Sequence, residues 1–282
     1  MGVAVETRSQ YDHWRPSGRR RRFARVATAV VIFGMLVAVG LLAKSRMKAA
    51  SVAVGCRVSG SAETYALDQD QAANAATITA VAEREGLPAH AVTVALTAAL
   101  QESNLHNLEY GDRDSLGLFQ QRPSQGWGTP TQLMQPTYAA RAFYRALQKV
   151  PNWESLPITD AAQKVQRSAA PDEYTKWEDT AQDFAAVLTG QVPVGLACHY
   201  RPVATDAPPP SYASTLRAEA GVSSSGANLS DQRSWAVAAW LIGHADEYRI
   251  SSVALRGQKW TAASGKWQPD AKAGADIAVE QQ

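Results

Sequence analysis

The chain has 282 residues, and its 28 Lys and Arg nearly balance its 26 Asp and Glu, which gives a formal net charge of +2. Residues 1–48 hold ten of the basic residues and two of the acidic ones, so residues 49–282 hold 18 basic and 24 acidic residues, a net charge of −6. This negative body gives no support for nucleic-acid binding. Two cysteines without a Cys-x-x-Cys pair rule out a disulfide-stapled miniprotein and a zinc ribbon.

A hydrophobic segment near the N-terminus predicts a membrane anchor. Residues 26–43 are an uninterrupted run of apolar and small residues, which as a helix spans roughly 27 Å, at the short end for crossing a lipid bilayer. The basic residues 1–25 precede it and include the run Arg19 to Arg22. Because moving this cluster across the membrane is costly, residues 1–25 are predicted to stay in the cytoplasm while the body is exported. A cleaved signal peptide is the alternative, and the basic start of the predicted linker, residues 44–55, favours the anchor.

Most of the body has the periodicity of helices. The run from Asp68 to Gln71 resembles a capping box, and Gly86 with Pro88 ends the helix that follows it. Residues 56–198 are therefore predicted to form a mainly α-helical domain. Its helices are predicted over residues 72–85, 90–102, 131–148, 160–168 and 172–188.

The two cysteines bracket this domain. Cys56 and Cys198 lie outside the cytoplasm if the body is exported, and a disulfide persists there. A bridge that closes so long a loop stabilises the fold by about 5 kcal/mol on the chain-entropy model. The sequence therefore favours a disulfide between Cys56 and Cys198 over the alternative, two unpaired buried thiols.

The C-terminal part differs in character. Residues 199–215 are irregular and rich in proline, which predicts a semi-rigid linker. Residues 216–282 are predicted to form a small α+β unit, which is marginal in size for independent stability and is expected to pack against something else. A protein partner outside this chain is one possibility for that contact. The elements predicted in the unit are a helix from Ser230 or Asp231 to about Tyr248 and a hairpin of strands at 252–255 and 276–279.

Motifs of metal and cofactor chemistry are not found in the sequence. The five histidines never fall into His-Glu-x-x-His or another ligand spacing, and no P-loop, Gly-x-Ser-x-Gly or Gly-x-Gly-x-x-Gly motif is present. We therefore predict neither a metal ion nor a cofactor for this protein.

One acidic residue has a sequence context that suits catalysis. Glu102 ends a predicted helix and shares a face of that helix with Ala95, Ala98 and Ala99. Partial desolvation above these methyl groups and the negative end of the helix dipole both disfavour the ionised carboxylate, so its pKa is expected to rise. A carboxyl that stays protonated near neutral pH can act as a general acid towards a glycosidic oxygen. The alternative is a solvated carboxylate at a frayed helix end.

The residues around Glu102 carry a family resemblance. A Glu-Ser pair that closes a helix, followed after a polar loop by Gly-Leu-Phe-Gln at residues 117–120, resembles the lysozyme-like fold of lytic transglycosylases and goose-type lysozymes. Residues 101–128 and 161–174 are similar to a lysozyme-like group of exported actinobacterial membrane proteins. The resemblance covers about residues 65–198, and it implies a lysozyme-like helical domain behind the transmembrane helix.

This resemblance also implies roles for individual residues. Glu102 matches the catalytic acid and base, and Ser103 matches the residue that orients it. The implied reaction is cleavage of the glycan strands of peptidoglycan between MurNAc and GlcNAc, with the sugar's own 6-hydroxyl as the attacking group and a 1,6-anhydro product. The residues that match the wall of the cleft are Gly117, Leu118, Phe119 and Gln120.

A hydrolytic lysozyme usually employs a second carboxylate, whereas the transglycosylase route needs only one. Asp112 and Asp114 are the candidates for that second group. The same run also suits a turn, in which Arg113 pairs with one of the acids, so a loop-shaping role is the alternative.

Two aromatic residues complete the predicted site. Trp127, between two glycines, offers a flat face for a sugar ring or else covers the core. The resemblance places Tyr174 near the cleft, where Asp172-Glu173-Tyr174 is a loose counterpart of the Ala-x-x-Tyr-Asn signature of soluble-type transglycosylases. Because that signature is incomplete, a non-catalytic wall-binding or scaffold protein that keeps the groove is the alternative to an enzyme.

Overall fold

The computed structural model describes residues 54–282, apart from residue 62 and residues 168–170, 202–204 and 224–227. The predicted basic segment, the predicted membrane anchor at 26–43 and nearly all of the predicted linker at 44–55 lie outside the described residues. Among the residues that are described, no helix is both long and apolar enough to cross a membrane. These residues belong to one compact unit, Ala53–Gln282.

The described part is a mixed α/β structure with 46% helix and two small antiparallel sheets. The predominance of helix and the C-terminal sheet agree with the predicted fold class, whereas the other sheet is not among the predicted elements. The helices are α1 (Gln69–Arg84), α2 (Ala89–Ser103), α3 (Pro130–Leu133), α4 (Pro136–Leu147), α5 (Ile158–Gln166), α6 (Glu178–Leu188), α7 (Ala213–Ala220) and α8 (Asp231–Gly243). The strands are β1 (Gly55–Ser59), β2 (Thr64–Leu67), β3 (Leu196–His199), β4 (Ile250–Leu255), β5 (Gln258–Thr261), β6 (Lys266–Pro269) and β7 (Ala278–Gln281). Short 3₁₀ helices lie at Pro123–Gln125, Trp153–Ser155 and Pro171–Trp177.

The first two helices form as the sequence predicts. Asp68 caps α1 by accepting a hydrogen bond from the backbone N–H of Gln71 at 2.8 Å, and the Gln71 side chain accepts one from the Asp68 N–H at 2.9 Å. Gly86 lies just beyond the end of α1 with a φ of +70°, which suits glycine. The alanine-rich α2 is almost wholly buried between Ala91 and Leu100, and it packs against α5 and α6. It is the central helix of the fold, and Glu102 lies in its last turn.

Residues 56–198, predicted to be mainly α-helical, contain strands at both ends that are not among the predicted elements. Strands β2, β1 and β3 form a three-stranded antiparallel sheet in that order. In β1 the side chains of Cys56 and Val58 are buried while those of Arg57 and Ser59 are exposed, the alternation expected of a strand. Strands of four or five residues are too short to dominate the windows over which helical periodicity is read.

The predicted disulfide is confirmed. Cys56 and Cys198 are bonded, and they lie directly opposite each other across the pair β1–β3. Both cysteines are buried. The bond therefore joins the central strand β1 to the edge strand β3, across a sequence separation of 142 residues.

Two of the predicted helices are divided in the structure. The helix predicted over 131–148 is α3 followed by α4, because Pro130 and Pro136 each begin a helix at a position where a missing N–H costs nothing. The helix predicted over 172–188 begins as the 3₁₀ helix Pro171–Trp177 and becomes α-helical only at Glu178. This tighter first segment carries Tyr174.

The C-terminal elements differ from the prediction in their connections. Helix α8 begins after the predicted cap, Ser230, and ends at Gly243, before the predicted end at Tyr248. Strands β4 and β7 pair with each other, but β5 and β6 lie between them in the sequence, so the sheet has the order β6-β5-β4-β7 and is not a hairpin. The missed turn is Arg256-Gly257, where both residues have a positive φ, as a tight two-residue hairpin loop requires.

The C-terminal part packs directly against the helical part. Helix α8 lies against α1 and α6. The indole N–H of Trp260 donates to the carbonyl of Cys198 at 3.0 Å, and that of Trp267 donates to the carbonyl of Leu196 at 2.9 Å. The expectation that residues 216–282 pack against something else is therefore met within the chain itself.

Candidate functional site

Glu102 lies on the wall of a large groove. The groove has a volume of about 1040 Å³, and its lining combines Glu102 with glutamine amides, an indole ring and several basic side chains. Ligand sites typically enclose roughly 300–1,000 Å³, so the groove has room for several sugar rings. The alternative of a solvated carboxylate at a frayed helix end does not apply, because Glu102 is half-buried in the last regular turn of α2.

The surroundings of Glu102 set the chemistry of its carboxyl group. Burial raises the pKa of Glu102 above its ordinary value, and hydrogen bonds from Tyr174 and Gln166 to the carboxylate lower it by a smaller amount. The Tyr174 hydroxyl donates to Oε1 of Glu102 at 2.5 Å. The carboxyl group therefore combines a raised pKa with a fixed orientation, the properties required of a general acid.

Ser103, the neighbour of Glu102, binds the backbone of the segment at residues 117–120. Its buried hydroxyl lies 2.7 Å from the carbonyl oxygen of Leu118 and 3.1 Å from that of Ala99, and it donates towards both. Ser103 therefore joins the end of α2 to the segment at residues 117–120. Its hydroxyl hydrogen bonds go to backbone carbonyls.

The predicted cleft-wall segment, residues 117–120, lies partly in the core and partly on the groove. The side chains of Leu118 and Phe119 are buried in the core, at 0% and 1% exposure, so neither reaches the groove. Gln120 does line the groove. The carbonyl of Phe119 accepts a hydrogen bond from the Gln166 amide at 2.8 Å, so the segment is tied to the end of α5 as well as to α2.

Gly117 is required by the path of the backbone. Its φ is +76°, and a Cβ at this position would lie 2.5 Å from the carbonyl oxygen of Leu133. Because that neighbour is a backbone atom of α3, it cannot move aside as a flexible side chain would. A glycine is therefore needed here both for its conformation and for the close approach of two backbone segments.

Replacing Gly117 with Ala is expected to reduce the free energy of unfolding by about 2–4 kcal/mol, because left-handed strain and a backbone clash act together. Gly86→Ala is the matched control, since Gly86 has a similar φ of +70° and nothing within 4 Å of an added Cβ. The control is expected to lose only about 1 kcal/mol, from strain alone. Urea denaturation of both variants measures the difference, and equal losses would show that the contact with Leu133 costs nothing.

Trp127 lies between the hydrophobic core and the groove. Its half-buried ring packs against the hydrophobic core, and the residue also lines the groove. The hydroxyl of Tyr138 donates to the Trp127 carbonyl at 3.3 Å. The core therefore holds one part of Trp127 in place while the residue still borders the groove.

The two candidate second carboxylates differ in position. Asp114 accepts hydrogen bonds from Nε of Arg122 at 2.8 Å and from the backbone N–H of Ser124 at 2.7 Å. The hydrogen bond from the Arg122 guanidinium is the main cause that holds the pKa of Asp114 well below its usual range. Hydrogen bonds from the backbone N–H and the hydroxyl of Ser124 lower this pKa further. Asp114 does not line the groove and shapes the loop, as the alternative interpretation predicts. Asp112 does line the groove, with Arg113 3.8 Å from its carboxylate.

Tyr174 contacts the acid and does not line the groove. The ring is fully buried, at 0% exposure, and is not part of the groove lining, so the prediction that it binds substrate directly is corrected to a positioning role. The 3₁₀ helix that carries it is held to α2 by a hydrogen bond from the Trp177 indole to the Gln101 side chain at 2.9 Å. Gln166 also donates a hydrogen bond to the Glu102 carboxylate. The sequence motifs do not indicate this contact, although Gln166 lies within the resembling run at 161–174.

Replacing Tyr174 with Phe is expected to move the pH dependence of any reaction that needs protonated Glu102. The Tyr174 hydroxyl donates to the carboxylate and lowers the pKa of Glu102, so its removal raises that pKa further. Activity that is lost as Glu102 ionises should therefore persist to higher pH in this variant. The measurement is the rate of substrate cleavage against pH. Tyr65→Phe is the control, since its hydroxyl donates to Asp183 at 3.2 Å, away from the groove. An unchanged profile in Tyr174→Phe would contradict the assignment.

Neither a family model nor a curated protein matches the chain. In the part of the chain that the structure describes, no group of three or more His, Cys, Asp or Glu side chains is arranged to hold a metal ion. The functional interpretation therefore depends on the residues of the groove themselves.

Proposed function

We propose that the chain is a membrane-anchored enzyme that cleaves the glycan strands of peptidoglycan, through a lysozyme-like domain of the lytic transglycosylase type. The observation that carries the proposal is the position of Glu102, half-buried on a groove of about 1040 Å³ with its pKa raised by burial. Gln120, Gln125 and Gln166 supply amides along the same groove, and Trp127 supplies an apolar face. Amide and aromatic groups suit the hydroxyl, acetamido and apolar faces of N-acetylated sugars.

In the first step Glu102 acts as a general acid. Its proton passes to the oxygen that links MurNAc to GlcNAc, and the bond from that oxygen to C1 of MurNAc breaks. The GlcNAc side leaves as a neutral alcohol, and positive charge develops at C1. The raised pKa favours the protonated carboxyl group over what an exposed glutamate would have, and the hydrogen bond from Tyr174 to Oε1 fixes the orientation of that group.

In the second step the carboxylate of Glu102 acts as a general base. It removes the proton of the 6-hydroxyl on the same MurNAc ring, and the 6-oxygen forms a bond to C1. The product is a 1,6-anhydro sugar, and Glu102 regains its proton. The two steps need no second carboxylate. Of the two candidates for such a group, Asp114 is bound by Arg122, and Asp112 lines the groove.

The proposed location follows from the anchor and the disulfide together. The buried disulfide between Cys56 and Cys198 suits an oxidising compartment outside the cytoplasm. We place the body on the outer face of the membrane, with the N-terminus in the cytoplasm and residues 26–43 in the lipid bilayer. A protein partner for residues 216–282 stays a prediction.

A non-catalytic wall-binding protein is the second candidate, because the amides and the indole of the groove suit a glycan with or without cleavage. Incubation of the detergent-solubilised full chain with purified peptidoglycan separates the two. An enzyme releases soluble fragments, whereas a binding protein sediments with the insoluble glycan and releases none. Neither release nor co-sedimentation would contradict both proposals.

A further inference from the structure

The groove collects positive charge on a body that is negative overall. Residues 49–282 have a net charge of −6. The acidic residues that line the groove are Glu102 and Asp112, and the basic ones are Arg122, Arg145, Lys149, Lys164 and Arg167. A cleft lined by one sign of charge concentrates the field and attracts ligands of the opposite charge.

Four of these basic side chains form no ion pair among the described residues, although Arg145 lies over the ring of Tyr138 at 5.8 Å. Arg122 is bound to Asp114 at 2.8 Å, but Arg145, Lys149, Lys164 and Arg167 have no carboxylate within 4.0 Å among the described residues. All four residues are exposed. We call these four residues the cationic wall.

The cationic wall comes from the ends of two helices. Arg145 lies in the last turn of α4 with Lys149 just beyond it, and Lys164 lies in the last turn of α5 with Arg167 as its cap. The C-terminus of a helix favours a cation because it carries about half a negative charge. Each of these helix ends carries two full positive charges, which is more than the half negative charge of the helix C-terminus would balance. The helix dipole alone therefore does not explain why four basic residues gather here.

The basic residues of the wall do not contribute to the raised pKa of Glu102. The raised pKa of Glu102 has burial as its main cause, followed by hydrogen bonds from Tyr174 and Gln166, and no basic residue contributes to it. A cation beside Glu102 would favour the carboxylate and weaken the general acid. The cations therefore have no part in setting the acidity of Glu102.

We propose that the cationic wall binds the free carboxylates of the stem peptides that peptidoglycan carries. This inference rests on the proposed function and names the part of the substrate that the site recognises. The N-acetylated sugar rings are neutral, whereas each stem peptide leaves the lactyl group of MurNAc and bears carboxylates. Lys and Arg on exposed, flexible stems suit such groups, which vary in position along the strand.

The test compares two forms of the same substrate with the full chain. Glycan strands that keep their stem peptides are one probe, and strands stripped of them by an amidase are the other. The variant is the pair Lys149→Gln and Lys164→Gln. The matched control is the pair Lys266→Gln and Lys272→Gln, which removes the same charge from exposed positions outside the groove. Dissociation constants at low salt are measured for both probes, with inorganic polyphosphate as a competitor.

The groove variant is expected to bind peptide-bearing strands about tenfold more weakly than wild type. Each lysine removed loses one exposed ion pair with the ligand, which weakens binding by roughly threefold, and two such losses multiply. It should bind stripped strands as wild type does, and the control pair should match wild type on both. An equal loss on both probes, no loss on either, an equal loss in the control pair or a preference for polyphosphate would each overturn the inference. Wild type that binds neither probe would instead contradict the proposed function.

Discussion

Replacing Glu102 with Gln is expected to stop the release of soluble fragments from peptidoglycan. The glutamine side chain keeps the size of the glutamate and can still accept a hydrogen bond from Tyr174, but it has no proton of the required acidity. A positioned general acid and base accelerates such reactions by about 10²–10⁴-fold, and the expected loss is of that size. The rate of fragment release from purified peptidoglycan measures it.

Glu85→Gln is the control for this prediction. Burial also raises the pKa of Glu85, but Glu85 is not part of the groove lining. The control should release fragments at the wild-type rate, and Glu102→Gln should still sediment with the insoluble glycan. Equal release by wild type and Glu102→Gln would refute the role assigned to this carboxyl group.

The stability of Glu102→Gln shows whether its loss of activity comes from unfolding. Because burial raises the pKa of Glu102 in the folded state, the folded state holds the proton more tightly than the unfolded chain does. The stabilisation from this protonation is complete below the unfolded pKa of about 4.3 and is lost as pH rises through the raised folded pKa. The variant should therefore melt at or above the wild-type temperature at neutral pH.

Removal of the disulfide is expected to have the largest effect on stability. The bond closes a loop with a sequence separation of 142 residues, and the chain-entropy model gives about 5 kcal/mol for a loop of this length. In a unit of this size, that loss corresponds to a fall in Tm of roughly 10–20 °C. The variant is the pair Cys56→Ala and Cys198→Ala, and thermal melting followed by circular dichroism measures the change.

Reduction of the wild-type chain is the control for the cysteine variant. A reducing agent should lower the Tm of wild type towards that of the variant and leave the variant unchanged. Because both cysteines are buried, the reduction is carried out in the denatured state before refolding. A wild-type Tm that does not change after reduction would contradict a stabilising role for the bond.

The elements that the sequence predicts well are those that local contacts determine. The bonds of the capping box join Asp68 to Gln71, three residues away, so the pattern is visible in the chain itself. The strands β1, β2 and β3 depend instead on pairing between residues far apart in sequence, such as Cys56 with Cys198. Each strand is short, and neighbouring helical periodicity conceals it.

The candidate site also combines features that depend on local sequence with features that depend on contacts between distant residues. The position of Glu102 at the end of a helix and above a face of alanines is a local property, and it is predicted. Its contact with Tyr174 spans 72 residues and depends on the 3₁₀ geometry of Pro171–Trp177, which periodicity alone does not indicate. The cationic wall likewise depends on where α4 and α5 end in space, so a body that is acidic in sequence gives no sign of it.

Burial also explains why part of the cleft-wall prediction is wrong. Residues 117–120 match the resembling motif as a run, but a run does not say which side chain faces the groove. Leu118 and Phe119 point into the core, and only Gln120 reaches the open space. The motif therefore acts mainly through packing and through its backbone bonds to Ser103 and Gln166.

Mass spectrometry of the fragments that wild-type protein releases from purified peptidoglycan tests the central claim most directly. A single carboxyl group that serves as acid and then as base leaves 1,6-anhydro ends, which are one water lighter than the ends that hydrolysis leaves. The account predicts anhydro ends on the released glycan. Fragments that all carry reducing ends, with an added water at each cleavage, would contradict a mechanism in which Glu102 works alone.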